Sequence, residues 1–156
     1  LTAHHGLGVA LSQSDRADQA LYHFEIFRAA EPAHVVNLND FGSAYGRLGR
    51  FDEAESLLRE AIAVDPAYAV AYDNLARVYR DRGDPASAER LWRRYLELES
   101  ASAVSHNDLG VVLAQQGKIA AAAGQFRLAL ALDPNFDDAR ANLDRAEERL
   151  GEAPVP

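Results

Sequence analysis

The sequence predicts an all-α chain, a solenoid of four helical hairpins closed at its C-terminal end by a ninth helix. Three observations predict it. Proline recurs in step: Pro32 and Pro66 are 34 residues apart, and Pro134 lies twice that distance further on, with Ser100 at the missing midpoint. An acid precedes each of the four positions, as Glu31, Asp65, Glu99 and Asp133. Cutting at that period into 1–34, 35–68, 69–102 and 103–136 aligns six columns without a gap. A period of this length marks stacked repeats.

Each column has a physical task. Leu7, Phe41, Leu75 and Leu109 form an apolar column that Leu143 continues, followed at once by the small residues Gly8, Gly42, Ala76 and Gly110. Four residues later stand Leu11, Tyr45, Tyr79 and Leu113, on the same face of a helix. The second helix of each hairpin carries Ala20, Ala54, Ala88 or Ala122, then Phe24, Leu58, Trp92 or Phe126. In the second repeat the stripe is completed by Ala61. Gly49, Gly83 and Gly117 lie between the helices, where a C-cap favours a left-handed residue, and Asp15 takes that place in the first repeat. Glycine within a helix costs about 1 kcal/mol relative to alanine, so the small column needs a packing reason. Close approach of the paired helices supplies one. Phe27 and Tyr95 are bulky where Ala61 stands in the second repeat, and each is followed by a glycine, Gly42 or Gly110. Volume compensation between neighbouring repeats is the expectation.

The ends differ from the middle. Residues 137–150 read as a single solvating helix, with Asp144 and Glu147 in place of apolar repeat positions. Gly151 is expected to stop it, leaving 151–156 as a disordered tail. The first helix, with Ala3, Leu7, Ala10 and Leu11, shows no polar replacement, so upstream repeats or another domain are expected to cover it. The chain begins at Leu1 and contains no methionine, as expected of a processed product or an excised piece of something longer.

The period of 34 with Leu-Gly, a large residue, Ala, a large aromatic and Pro resembles the tetratricopeptide repeat (TPR). Residues 35–68 carry it best, through Leu38, Phe41, Gly42, Tyr45, Ala54, Leu58, Ala61 and Pro66. The resemblance covers 1–136 fully and 137–150 in part. It departs in the third repeat, which has Tyr95 for alanine and Ser100 for proline, and at Phe27. It implies a right-handed superhelix whose first helices line a concave groove that binds a peptide or partner protein. In this chain the lining face is Asn39, Asp40, Ser43 and Arg47, then Asp73, Asn74, Arg77, Arg80 and Asp81. The fourth repeat adds Asn107, Asp108, Val111 and Gln115, and the last helix Asn142 and Arg145. Asn39 and Asn107 share one column while Asn74 and Asn142 share the next. Together they resemble, in staggered form, the asparagine ladder some TPR proteins use on extended peptides. Asp73 and Arg77 also form a favourable i, i+4 surface pair. The family's chaperone-tail site needs lysine and arginine at fixed groove positions. The two available frames give His5, Val9, Asp40, Val70, Asn74 or Asn39, Ser43, Asn74, Val104, Asp108, and neither supplies one.

Composition excludes other classes. Apolar residues make up 48% and charged residues 26%, the balance of a soluble folded chain. A net charge of −8 argues against nucleic acid, which needs a basic face. No apolar run approaches the roughly 18 residues of a membrane helix, so membrane insertion is not expected. Without cysteine there is no disulfide, thiolate nucleophile or thiolate metal site. Gly6-Leu7-Gly8 continues to Leu11 where a dinucleotide loop needs glycine, and Gly117-Lys118 continues to Ile119 where a phosphate loop needs Ser or Thr. His4 and His5 are adjacent and diverge by about 100° on a helix. His23 and His106 lack partners one turn away, and His34 has only Glu31 across Pro32, so packed or solvated histidines are expected.

No cofactor, metal site or catalytic set is therefore expected, and the chain is expected not to be an enzyme. Three roles fit: a peptide- or protein-binding scaffold; self-assembly through the uncovered N-terminal hairpin; and positioning of substrate within a larger enzyme or secretion machine. The compartment is not encoded.

Overall fold

The computed structural model describes residues 1–14, 16–99 and 102–151. Among the described residues there are nine helices and no strand: α1 Thr2–Ser12, α2 Ala17–Ala30, α3 Val35–Arg47, α4 Phe51–Val64, α5 Ala69–Arg82, α6 Pro85–Leu98, α7 Ala103–Gln115, α8 Ile119–Leu132 and α9 Asp137–Gly151. From α3 onward the odd helices begin at 35, 69, 103 and 137, and the even ones at 17, 51, 85 and 119, every step being the 34-residue period. Asp15, Ser100 and residues 152–156 of the expected tail lie outside the described residues. Gly151 is itself helical, so α9 runs one residue past the expected stop.

Local chemistry sets these boundaries. Gly49, Gly83 and Gly117 have φ of 71°, 87° and 76°, the left-handed turn expected between the helices of a hairpin. Beyond two of them the chain closes back, Arg50 N–H donating to the Tyr45 carbonyl at 3.0 Å and Lys118 N–H to the Leu113 carbonyl at 2.9 Å. The acids before proline act as turn formers: Asp65 Oδ1 accepts from Ala67 N–H and Asp133 Oδ1 from Asn135 N–H. Asp84 caps α6 by accepting from Ser87 N–H, with Pro85 opening the helix. Contact with Ser87 holds the Asp84 carboxyl below its ordinary range. Ser102 and Ser105 form a capping box on α7.

The chain divides into two compact units, Leu1–Arg82 and Gly83–Pro156. In the first, α1 packs on α2, α2 on α3, α3 on α4 and α4 on α5, and α3 also touches α1 and α5. In the second, α6 packs on α7, α7 on α8 and α8 on α9, and α7 also touches α9. The repeat columns supply both cores. Ala20, Ala54, Ala88 and Ala122 are fully buried, as are Phe24, Leu58 and Trp92, with Phe126 at 2% exposure. Phe41 is buried and stacks on Tyr45 at 4.9 Å, and the Arg50 guanidinium caps the Tyr45 ring at 4.5 Å.

The small column has a different partner from the one expected. A Cβ at Gly8 would stand 2.7 Å from Phe24 Cε1, one at Gly42 would stand 2.8 Å from Leu58 Cγ, and one at Gly110 would fall on the Phe126 ring. Each glycine makes room for the large residue of its own hairpin. The proposed compensation across repeats is thereby corrected: the atoms nearest Gly42 belong to Leu58 and Ala54, and those nearest Gly110 all to Phe126. Phe27 lies instead against His34 and His5, with ring centroids 4.9 and 5.6 Å away.

Outside the core, one polar clamp recurs. Glu55 of α4 accepts from the Tyr79 hydroxyl at 2.5 Å, from Arg59 at 2.9 Å and from Arg82 at 2.8 Å, tying α4 to α5. These donors, Tyr79 first, hold its carboxyl below the ordinary range. One period later Glu89 of α6 accepts from Lys118, Gln116 and Arg93 at 2.7 to 3.0 Å. Its side chain is 12% exposed, and Lys118, followed by Gln116 and Arg93, lowers its pKa to about 2. Glu147, expected only to solvate the last helix, accepts from Arg127 at 2.6 Å and ties α8 to α9.

Two stability outcomes follow. Gly110→Ala is expected to lose about 1–3 kcal/mol by overpacking Phe126. Gly124→Ala, where a Cβ meets nothing within 4 Å, is expected to gain up to about 1 kcal/mol from helix propensity. Equal thermal melts of the two would refute the close seating. Glu89 has a depressed pKa, so its contribution is full above the ordinary carboxylate value of 4.5 and lost as pH falls towards about 2. The melting difference between the parent and Glu89→Gln is therefore expected to be largest near neutrality and to vanish near pH 2. A difference that is constant across that range would remove the ion cluster as its source.

Candidate functional site

The polar residues on the first helices do two separate jobs. The first is a stitch between successive helices. Asn74 Nδ2 donates to Asn39 Oδ1 at 2.9 Å, and Asn142 Nδ2 to Asn107 Oδ1 at 2.9 Å, each pair 35 residues apart. His5 Nε2 meets Asp40 Oδ2 at 2.9 Å with the same spacing. The stagger between the asparagine columns is thus the offset of a hydrogen bond linking one repeat to the next. Asn39 and Asn107 are only 2% and 7% exposed, and Asp108 8%. Asn39 also donates to Asp40 Oδ1 at 3.0 Å. These residues are buried within their own units, with the amide groups of Asn39 and Asn107 engaged there.

The second job is to line a cleft between α3 and α5. It has a volume of about 360 Å³ and is bounded by Ser43, Gly46, Arg47, Asp73, Asn74, Arg77, Val78, Arg80 and Asp81. Seven of the residues expected from sequence to line the groove (Ser43, Arg47, Asp73, Asn74, Arg77, Arg80 and Asp81) converge there. Arg77 Nε binds Asp73 at 3.1 Å, the i, i+4 pair expected, and Arg80 Nε binds Asp81 at 2.8 Å. Arg47 Nη1 donates to the Ser12 carbonyl at 2.7 Å, at the end of α1. The cleft is therefore lined by charges of both signs, each already partnered in part. Val78 and Gly46, which complete it, follow from no polar pattern; only the apolar period of α5 points to Val78.

A second cleft, of about 290 Å³, lies at the equivalent place between α7 and α9 and includes Asn142 and Arg145. Asn74 and Asn142, and Arg77 and Arg145, are two periods apart.

The histidines have local partners. His4 Nδ1 and His23 Nδ1 are 2.9 Å apart, and His106 Nδ1 is 2.8 Å from Gln125. His34 Nδ1 accepts from Asn37 N–H and so caps α3. Among the described residues, no group of three or more His, Asp or Glu side chains converges in a way that could hold a metal ion. No helix of the described residues is long and apolar enough to cross a membrane.

Solved structures share this architecture. A crystal structure of MamA is similar over 92% of this chain and 84% of its own, at 22% identity and a TM-score of 0.84. A MamA structure labelled MSR-1 C2 matches over 96% and 86%, at 23% identity and 0.81. TTC0263, described as a thermophilic TPR protein in Thermus thermophilus, matches over 94% and 80%, at 23% identity and 0.80. Such likeness establishes a helical solenoid fold. No curated protein matches the sequence. Two family models, both described as tetratricopeptide repeat, match residues 36–78 and 74–135. With those matches running through its second to fourth repeats, and with paired helices recurring every 34 residues, the chain belongs to the tetratricopeptide repeat family of protein-interaction scaffolds.

Proposed function

We propose that the chain holds a peptide segment of a partner protein in the cleft between α3 and α5, without chemistry of its own. The convergence of Ser43, Arg47, Asn74, Arg77 and Arg80 on one cleft carries this reading. Arg77 and Arg80 sit beside Asp73 and Asp81, so an incoming carboxylate exchanges one acidic partner for another rather than meeting a bare cation. Such an exchange favours selectivity over raw affinity. Asn39 supports the cleft from beneath through its bond to Asn74, Asp40 and Asn142 hold successive helices together, and Asn107 and Asp108 are buried in the other unit. In this reading their substitution acts on stability before it acts on binding.

The test uses synthetic decapeptides rich in glutamate, in lysine, or in serine and glycine, titrated by calorimetry. The glutamate peptide is expected to bind best. Arg77→Ala is expected to weaken it about tenfold to a hundredfold, the value of one charge-assisted hydrogen bond, and Ser43→Tyr to block it. Arg90→Ala, on an exposed residue of α6, is the control. Arg59 would be a poor one, because it donates to both Glu55 and Tyr79. Equal affinities for all three variants would remove the cleft from the function.

A second reading rests on α1. Leu7 is 49% exposed, whereas its column mates Phe41, Leu75 and Leu109 are 2% exposed or less. A copy of this chain covering that face would produce self-association through the N-terminal hairpin. Sedimentation equilibrium is then expected to show a concentration-dependent dimer that Leu7→Glu dissociates. A monomer at all concentrations excludes this reading.

A further inference from the structure

The cleft between α7 and α9 occupies the same repeat positions as the one between α3 and α5, yet it offers different chemistry. Its floor is built from different residues. In the first cleft, Val78 Cγ2 comes within 3.2 Å of where a Cβ at Gly46 would stand, so valine fills the gap between the helices. Here the equivalent residues are Ala114 on α7 and Ala146 on α9. Phe126 and Ile119 also line this cleft, together with Val111 and Ala114.

The rim has changed sign. Asp73 and Asp81 have Ala141 and Arg149 as their counterparts two periods on. Arg145 and Arg149 are one helical turn apart on α9, and both border the cleft. Neither makes an ion pair among the described residues, and both are exposed. Of the acids nearby on α9, Glu147 is bound to Arg127, and neither Asp144 nor Glu148 lines the cleft. The exposed amide of Gln115 and the Asn142 side chain complete the lining. Asn142 uses one N–H on Asn107, so its carbonyl oxygen and second N–H can serve another partner.

We propose that this cleft binds a short acidic–aliphatic peptide segment of a partner protein. One leucine- or isoleucine-sized side chain seats over Ala114, Ile119 and Phe126, and an adjoining carboxylate is held by Arg145 and Arg149. The volume of about 290 Å³ lies at the small end of ligand pockets, which suits a single side chain rather than a folded element. The side-chain amides at the rim favour a peptide over an acyl chain, since they match backbone N–H and C=O groups that an acyl chain lacks. The proposal rests on the scaffold reading above but on a separate cleft, so the two can fail independently.

The experiment titrates the full chain by calorimetry with three octapeptides, of alternating glutamate and leucine, lysine and leucine, and glutamate and serine. Decanoate is a fourth probe. The glutamate–leucine peptide is expected to bind most tightly. Its affinity should fall at least tenfold in Arg145→Ala/Arg149→Ala, and equally in Ala114→Leu, which plugs the cleft from a half-buried position. It should be unchanged in Arg90→Ala, at an exposed residue of α6. Arg145→Glu/Arg149→Glu should reverse the preference towards the lysine–leucine peptide. Undiminished binding to the double alanine variant overturns the proposal, as does equal binding of the serine or lysine peptide to the parent. Decanoate competing at equal affinity overturns it in favour of an acyl carboxylate. Loss confined to Arg77→Ala overturns it while leaving the first cleft's function intact.

Discussion

The seating of one large side chain against a residue with no side chain governs this fold. Phe24, Leu58 and Phe126 each occupy the space left by a glycine on the preceding helix of the same hairpin. The contact fixes how closely two helices pair, and the left-handed glycine between them fixes how sharply the chain returns. Within each compact unit, this pairing sets where the outer clamps at Glu55 and Glu89 and the inner asparagine stitches can form. Neither clamp nor stitch is strong alone. Exposed ion pairs are typically worth under about 1 kcal/mol, and a single hydrogen bond about as much. Their value lies in being repeated on a backbone that apolar packing has already placed.

Polar groups in this array are therefore divided by depth. Asn39 and Asn107 are shielded by the helices they join, so their amides can be satisfied only within the protein. Arg77, Arg80, Arg145 and Arg149 lie nearer the surface, on long side chains that can reorient. The same helical face thus supports both an internal seam and an external cleft, because successive turns along it sit at different depths. Two clefts at equivalent positions then diverge through a few residues: Val78 against Ala146 at the floor, Asp81 against Arg149 at the rim.

Much of the fold was legible because its determinants are periodic and local. A 34-residue step, a left-handed glycine and a proline after an acid each act within a few residues, so the sequence displays them directly. Space is not displayed in that way. Nothing in the spacing of Gly42 or Gly110 tells whether the filling side chain comes from the same hairpin or the next, and the compensation expected from Phe27 and Tyr95 pointed across repeats. The groove residues were legible as a helical face, but a face does not reveal depth. Asn39 and Asn74 look alike in sequence; one is buried and the other borders a cleft. Glu147 was readable as polar but not as paired, since Arg127 reaches it from another helix.

The stitches have a consequence for how such a chain can change length. Each joins one position of a repeat to the next position of its successor, and the chemistry of the joint varies: His5 with Asp40, Asn39 with Asn74, Asn107 with Asn142. The two asparagine joints are interchangeable. Removing or duplicating the third and fourth repeats together brings asparagine against asparagine again, whereas removing the third alone sets Asn39 against Asp108. For the asparagine joints, the change of length that preserves the bond is thus that pair of repeats, twice the period that the prolines announce.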